Sequence, residues 1–159
     1  MRPELLLETR SAAETEALGR ALGRVLEPGD VIALAGELGA GKTVLVRGVA
    51  GGVGAAEGAV RSPTFILLHR YEGGRLPLHH VDAYRLAGAQ ALVDIGLDDV
   101  FEAGAATLVE WAPRVEGALP DERLEVSIEH AGGDLRRLLV RARGDRYEAR
   151  VAALQRELA

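Results

Sequence analysis

The segment Gly36–Thr43 constrains the fold of this chain more than any other. Its eight residues, Gly-Glu-Leu-Gly-Ala-Gly-Lys-Thr, match the phosphate-binding pattern G-x-x-x-x-G-K-[ST] at every defined position. The segment follows a continuous apolar run, Val31–Ala35, which is typical of a strand buried on both faces of a sheet. A helical pattern begins at Lys42. A strand, a glycine-rich loop and a helix in this order predict an α/β fold built around a phosphate-binding loop.

The residue types of this loop suit a nucleotide phosphate. Glycines let the backbone curl so that successive N–H groups point at phosphate oxygens, and the following helix adds the positive end of its dipole. We expect Lys42 to contact the β- and γ-phosphates and the Thr43 hydroxyl to bind Mg²⁺. The full set of predicted nucleotide-binding residues is Gly36, Glu37, Leu38, Gly39, Ala40, Gly41, Lys42 and Thr43.

The position of the single lysine supports this prediction. Of the 19 basic side chains, 18 are arginine and only Lys42 is lysine. A compositional preference for arginine explains the excess, but it does not explain why the exception lies between Gly41 and Thr43. Lysine carries a compact charge that can lie among phosphate oxygens, whereas the guanidinium is a bulky planar fork.

Length and composition restrict the remaining possibilities. A chain of 159 residues fits one domain, which we take as residues 1–159. The net charge of −5 offers no electrostatic surface for unaided binding to nucleic acid or an anionic membrane. Cysteine is absent, which excludes a disulfide framework and a thiolate zinc site. No apolar stretch is long enough for a signal peptide or membrane span, so we expect a cytoplasmic protein without membrane contact.

The other periodic segments predict further strands and helices. Ser11 and Glu14 form a capping box before the first helix, and Gly73-Gly74 is a turn signal between two strands. Strands are predicted at Leu5–Leu7, Phe65–Leu68, Leu76–Val81, Ala105–Val109, Leu124–Ile128 and Leu135–Val140, with two short helices in Ala87–Phe101 and one at Tyr147–Leu158. Together they predict a P-loop NTPase-like, three-layer α/β fold with a central mixed, partly parallel sheet flanked by helices.

Two carboxylates follow apolar strands and are candidates for the metal side of the site. Mg²⁺ usually takes a hydroxyl, one or two carboxylates and water. Glu110 ends the strand Ala105–Val109 and is the first choice for the metal. Asp82 ends Leu76–Val81 and is a second ligand or the group that orients the attacking water. Lys42, Asp82 and Glu110 are therefore the predicted catalytic residues; the alternative for each acid is a solvated strand end.

Two further side chains near these acids have open roles. His80 lies two residues before Asp82 on the same strand face and is a candidate to orient that carboxylate or to sense the γ-phosphate. A purely structural histidine is the alternative. Trp111, the only tryptophan, either lies near the nucleotide or packs in the core.

The base is predicted by elimination. Ras-type GTPases read guanine with an Asn-Lys-x-Asp segment, but this chain has no asparagine and its one lysine lies in the phosphate loop. ATP with Mg²⁺ is therefore the expected ligand.

Two other function classes compete with an ATPase. A small-molecule kinase needs an arginine-bearing lid, and Arg136, Arg137, Arg141 and Arg143 form a late basic cluster that could supply one. The simpler interpretation is a solvated strand face around Leu135–Val140. A nucleotide-dependent interaction module without useful hydrolysis also remains open.

Several motifs, in this order along the chain, resemble one family. They are the phosphate loop itself, Ser62-Pro63-Thr64-Phe65, His80-Val81-Asp82-Ala83-Tyr84-Arg85-Leu86, Gly96-Leu97 and Glu110-Trp111. Their order and spacing resemble the TsaE (YjeE) family, small bacterial ATPases that act in making threonylcarbamoyladenosine on tRNA.

The resemblance implies a weak ATPase that works on a TsaB–TsaD complex. TsaD would carry the transfer of the threonylcarbamoyl group to adenosine 37, so this chain would meet tRNA only indirectly. By position, Glu110 would be the Walker B-like acid and Asp82 a catalytic or switch acid. Ser62, Pro63 and Thr64 would belong to a switch-like loop that senses nucleotide and faces the partner, and His80 is grouped with them.

Overall fold

The computed structural model describes residues 4–37, 40–55 and 68–159. Within these ranges the strands and helices alternate along most of the chain. The strands are β1 Glu4–Thr9, β2 Val31–Gly36, β3 Leu68–Tyr71, β4 Leu78–Asp82, β5 Ala106–Glu110, β6 Arg123–His130 and β7 Arg136–Arg143. The α-helices are α1 Ala12–Val25, α2 Lys42–Gly52, α3 Ala89–Ile95, α4 Leu97–Val100 and α5 Asp145–Leu158. Short 3₁₀ helices follow β4 and β5, at Ala83–Arg85 and Ala112–Ala118.

The strands form one seven-stranded sheet in the order β1-β7-β6-β2-β5-β4-β3. Its centre is parallel, because β2 pairs in parallel with both β5 and β6, and β4 pairs in parallel with β5. Its two ends are antiparallel, through the β6–β7, β1–β7 and β3–β4 pairs. The predicted mixed, partly parallel sheet is confirmed.

Helices cover both faces of this sheet. Alternate residues of the central strands belong to different cores: Leu34 and Leu108 pack with α1, α2 and α5, whereas Ala33 and Val109 pack with α3, α4 and the 3₁₀ helix at Ala112–Ala118. This alternation places one core on each face of the sheet. The result is the predicted three-layer arrangement.

The helix α1 begins as its sequence predicts, with one difference. Ser11 Oγ accepts a hydrogen bond from the Glu14 amide at 3.1 Å. The Glu14 carboxylate accepts from the amide of Arg10, one residue before the cap, at 3.1 Å. In a standard capping box the Glu14 carboxylate would accept from the amide of Ser11, so the second hydrogen bond of this box is shifted by one residue.

The backbones of α1 and α2 are in direct contact. A Cβ atom added at Gly48 would lie 2.2 Å from the carbonyl oxygen of Glu16, and one at Gly19 would lie 2.4 Å from that of Leu45. The arrangement repeats one turn further along, at Gly23 and Gly52. Only glycine allows so close an approach, which fixes the position of α2 against α1.

The strand boundaries differ slightly from the predicted ones. The predicted strand Phe65–Leu68 falls mostly outside the described residues, and the described strand β3 begins at Leu68. It pairs with β4 as the expected hairpin, although β4 begins at Leu78 and includes Asp82. The strands β6 and β7 are longer than predicted and pair antiparallel. No helix in the described part of the chain is long and apolar enough to cross a membrane.

Candidate functional site

Three parallel strands end at the same edge of the sheet and bring the predicted site residues together. β2 ends at Gly36, β5 at Glu110 and β4 at Asp82. In the register of the sheet, Glu110 lies opposite Leu34 on one side and opposite Asp82 on the other. Ligands of open α/β sheets bind at such carboxyl ends.

The backbone of the loop requires glycine at two points. A Cβ atom at Gly36 would lie 2.7 Å from the carbonyl oxygen of Ile128. Gly41 has a φ of 104°, in the left-handed region. Between them, the Ala40 amide donates to the Glu37 carbonyl at 3.1 Å. Leu38 and Gly39 lie outside the described residues.

The N-terminus of α2 is suited to an anion. The helix has 11 residues, and its N-cap is Gly41, which has no side chain to accept from the first backbone N–H groups. The first turn carries no acidic residue. Its amides and dipole are therefore available for the phosphate oxygens of a ligand, and Thr43 is half-buried at the second position.

Lys42 folds inward towards the site. Its side chain is only 6% exposed, and Nζ lies 3.5 Å from the centroid of the Trp111 ring. The ammonium also donates to the carbonyl oxygen of Gly36. Burial lowers the pKa of Lys42, while the nearby carboxylates of Glu110 and Asp82 act in the opposite direction. One cation thus lies among the groups that the sequence predicted to act together.

Glu110 is buried against a histidine. It is 3% exposed, and its Oε2 atom lies 2.5 Å from Nε2 of His80, which is itself 1% exposed. The ring of His80 stacks on Tyr71 of β3, with centroids 6.3 Å apart. His80 therefore contacts the acid of the neighbouring strand.

Of the roles that the sequence left open for His80, orienting Asp82 is wrong. The short side chain of Asp82 turns towards its own backbone, where Oδ1 accepts from the Tyr84 amide at 3.0 Å. Glu110 is longer by one methylene and reaches diagonally across the strand pair to His80. Asp82 is half-buried and caps the 3₁₀ turn that follows β4.

Trp111 lies on the site. It is the one non-glycine residue with positive φ in the described part of the chain, at 58°, and begins the turn after β5. Its ring contacts Lys42 on one side and Tyr84 on another, where the centroids are 5.0 Å apart. The sequence left open a place near the nucleotide or in the core; the ring lies beside Lys42 of the phosphate loop and also packs against the core on the α3 and α4 face.

Arg136 reaches the loop from the far end of the chain. Its Nε donates to the carbonyl oxygen of Ala40 at 2.9 Å. The other three arginines of the late cluster contact acids instead: Arg137 lies near Glu8 and Glu129, Arg141 near Glu4, and Arg143 near Glu116 and Glu125. The four side chains therefore do not form an arginine lid over the loop.

A matching family model extends over residues 9–138, and its description is "Threonylcarbamoyl adenosine biosynthesis protein TsaE". A relative from Bacillus subtilis (strain 168), named tRNA threonylcarbamoyladenosine biosynthesis protein TsaE, is 41% identical over 153 residues, which are 96% of this chain and 95% of the relative. The chain belongs to the TsaE family. The family predicted from the motifs is confirmed.

Further relatives with the same name agree with this assignment. One from Treponema pallidum (strain Nichols) is 42% identical, over 76% of this chain and 87% of its own. One from Streptomyces coelicolor is also 42% identical, over 82% of this chain and 91% of its own. Among solved structures, Bacillus subtilis YdiB superposes with a TM-score of 0.85 at 37% identity, covering 100% of this chain and 99% of that one.

Part of the predicted site cannot be placed in this TsaE family member. The switch-like residues Ser62, Pro63 and Thr64 lie outside the described residues. Two contacts were missed by sequence reasoning, those of Arg136 with Ala40 and of His80 with Glu110. The first joins residues 96 positions apart, and no local pattern signals it.

Proposed function

We propose that this TsaE family member binds ATP with Mg²⁺ at residues 36–43 and hydrolyses it slowly, with stimulation by a TsaB–TsaD complex. Its role would be in forming the threonylcarbamoyl group on adenosine 37 of tRNA. The observation that carries the proposal is the convergence of Lys42, Asp82 and Glu110 beside the glycine loop. The names of the relatives support the tRNA modification.

The electrostatics of the site fit a nucleoside triphosphate. The uncapped N-terminus of α2 and the buried ammonium of Lys42 provide positive potential at one place. An arriving phosphate would give Lys42 a stronger partner than the Gly36 carbonyl oxygen and the Trp111 ring, which it contacts here.

The residues also fit Mg²⁺ held jointly with a nucleotide. In the described ranges, no group of three or more histidines or acids could hold a metal ion by itself. A hydroxyl from Thr43 with carboxylates from Glu110 and Asp82 would suit an ion that keeps several waters and takes phosphate oxygens as ligands. When bound, Mg²⁺ neutralises charge on the phosphates.

The chain's own residues have separate tasks in this proposal. Lys42 binds the phosphates, Glu110 holds the metal side, and Asp82 orients the attacking water or acts as a switch. Ser62, Pro63 and Thr64 would report the nucleotide state to the partner. We propose that residues 1–159 form one ATPase domain that works in the cytoplasm and meets tRNA only through TsaB–TsaD.

ATP hydrolysis measured alone and with TsaB–TsaD tests the proposal. The chain alone should turn over slowly, the complex should accelerate it, and Lys42→Ala should abolish binding or turnover. Glu110→Ala and Asp82→Ala should keep ATP binding while turnover falls. Asp94→Ala is the matched control, because that exposed acid bonds only Gln90 among the described residues and should leave turnover unchanged.

Two results would contradict the proposal. Fast hydrolysis that ignores TsaB and TsaD would remove the partner-stimulated role. Intact hydrolysis in Glu110→Ala and Asp82→Ala, together with lost partner assembly, would favour an interaction module.

A further inference from the structure

The contact between His80 and Glu110 is the most enclosed polar pair of the site. Nε2 of His80 lies 2.5 Å from Oε2 of Glu110, and the two side chains are 1% and 4% exposed. A carboxylate removed from water in this way needs a hydrogen-bond donor. Among the described residues, His80 is the side chain that supplies one to Glu110.

The second ring nitrogen of His80 indicates which of the two side chains donates the hydrogen bond. Nδ1 is buried and has no hydrogen-bond partner within the described ranges. A proton on Nδ1 would leave a buried donor unpaired, which is costly. The arrangement therefore favours the tautomer that carries its proton on Nε2 and donates it to Glu110.

Both the backbone and the ring of His80 are held in place. His80 lies in β4, which pairs with β5 on one edge and β3 on the other. Tyr71 of β3 stacks on the imidazole at an interplanar angle of 29°. A donor fixed in this way can fix the group that accepts from it.

We propose that His80 is a positioning residue for Glu110, which holds Oε2 so that the other carboxylate oxygen, Oε1, is left for the metal or its water. This inference rests on the proposed function, because it assigns Glu110 to the metal side. It differs from a role at Asp82, whose carboxylate is bound by the Tyr84 amide. Groups that orient metal ligands typically contribute about 10- to 100-fold to metal affinity or activity.

The pair His80→Gln and His80→Asn tests the inference with matched amide side chains. The glutamine nitrogen occupies about the place of Nε2, whereas the asparagine nitrogen reaches only the place of Nδ1. We expect His80→Gln to stay within about threefold of wild type, and His80→Asn to lose about 10- to 100-fold in turnover and to need more Mg²⁺ for half-maximal rate. Melting temperatures of both variants report the fold separately.

A double-mutant cycle separates positioning from a structural role. If His80 acts through Glu110, His80→Asn should cause no further loss of turnover in a Glu110→Gln background. The same fold-loss in both backgrounds, or equal Mg²⁺ requirements for His80→Gln, His80→Asn and wild type, would overturn the inference. Wild-type protein that neither binds nor hydrolyses ATP would instead defeat the proposed function.

The tautomer gives a readout that needs no variant at position 80. Nitrogen NMR of histidine-labelled wild-type protein should show His80 protonated on Nε2, with that resonance shifted in Glu110→Gln. Protonation on Nδ1 alone would overturn the inference even if every variant at position 80 failed to fold.

Discussion

The ammonium of Lys42 lies 3.5 Å from the centre of the Trp111 ring, although the two residues belong to different strand–loop units of the sheet. The contact places the positive charge over the electron-rich face of the indole. Because Trp111 is the only tryptophan, its fluorescence reports this one lysine.

We expect ATP to change the emission of Trp111, because the phosphates draw Lys42 away from the indole face. Titration of the protein with ATP and Mg²⁺ should give a saturable change. Lys42→Ala should start from a different emission and show no saturable response. An identical titration curve in wild type and Lys42→Ala would contradict the expectation.

The burial of Lys42 should make the nucleotide-free protein less stable than its hydrophobic variant. Burial lowers the pKa of Lys42 in the folded state. Below that pKa the buried charge destabilises the fold in full. As pH rises through it towards the unperturbed value of about 10.4, the folded protein loses the proton first and becomes relatively more stable.

The variant Lys42→Met tests whether the buried charge of Lys42 lowers the stability of the fold. The variant should be more stable than wild type at pH 7, because it removes a charge whose burial is unfavourable, while ATP binding is lost. The stability difference should shrink as pH is raised to about 10. Urea unfolding of both proteins at each pH measures the difference in their free energies of unfolding. A variant less stable than wild type at pH 7 would show that the Lys42 charge does not destabilise the fold.

The contact between α1 and α2 predicts a severe effect of one added methyl group. Gly48→Ala would place Cβ 2.2 Å from the backbone oxygen of Glu16, which cannot move independently. We expect a net loss of at least about 1 kcal/mol even after the gain in helix propensity. Gly104→Ala is the control, because its Cβ would meet only Glu102 Oε1 at 3.8 Å, and it should stay within about 0.5 kcal/mol. Thermal unfolding that ranks the two variants in the opposite order would contradict the packing.

We expect the side chain of Arg136, but not that of Arg137, to contribute to the affinity for ATP. Arg136 holds the Ala40 carbonyl of the loop, so Arg136→Ala should weaken ATP binding by about tenfold. Arg137 lies 3.8 and 3.9 Å from two exposed acids, Glu8 and Glu129, a geometry of little energetic value. Calorimetric titration of both variants measures the difference, and equal affinities would count against a loop-holding role.

Structural elements that are adjacent in sequence could be predicted, because the residue patterns that specify them lie within a short segment. The apolar run of β2, the glycine loop and the start of α2 follow one another in sequence, so their structure follows from spacing alone. The proximity of Asp82 and Glu110 was also predictable, since parallel strands end at one edge of a sheet.

The rest depends on contacts between distant segments. The strand order, which places β6 beside β2 and β7 beside β1, leaves no trace in periodicity. The contact of His80 with Glu110 was not predicted, because sequence gives the face of a strand but not the reach of the neighbouring side chain. A signal for the helix contact was present in the spacing of Gly19 with Gly23 and of Gly48 with Gly52, but the spacing does not identify the partner helix.

The glycine contact between α1 and α2 also limits which parts of the molecule can respond to a ligand. Two helices whose main chains touch cannot slide past one another without a backbone collision, so they behave as a single rigid unit. We therefore expect the N-terminus of α2, which carries Lys42, to shift only together with α1.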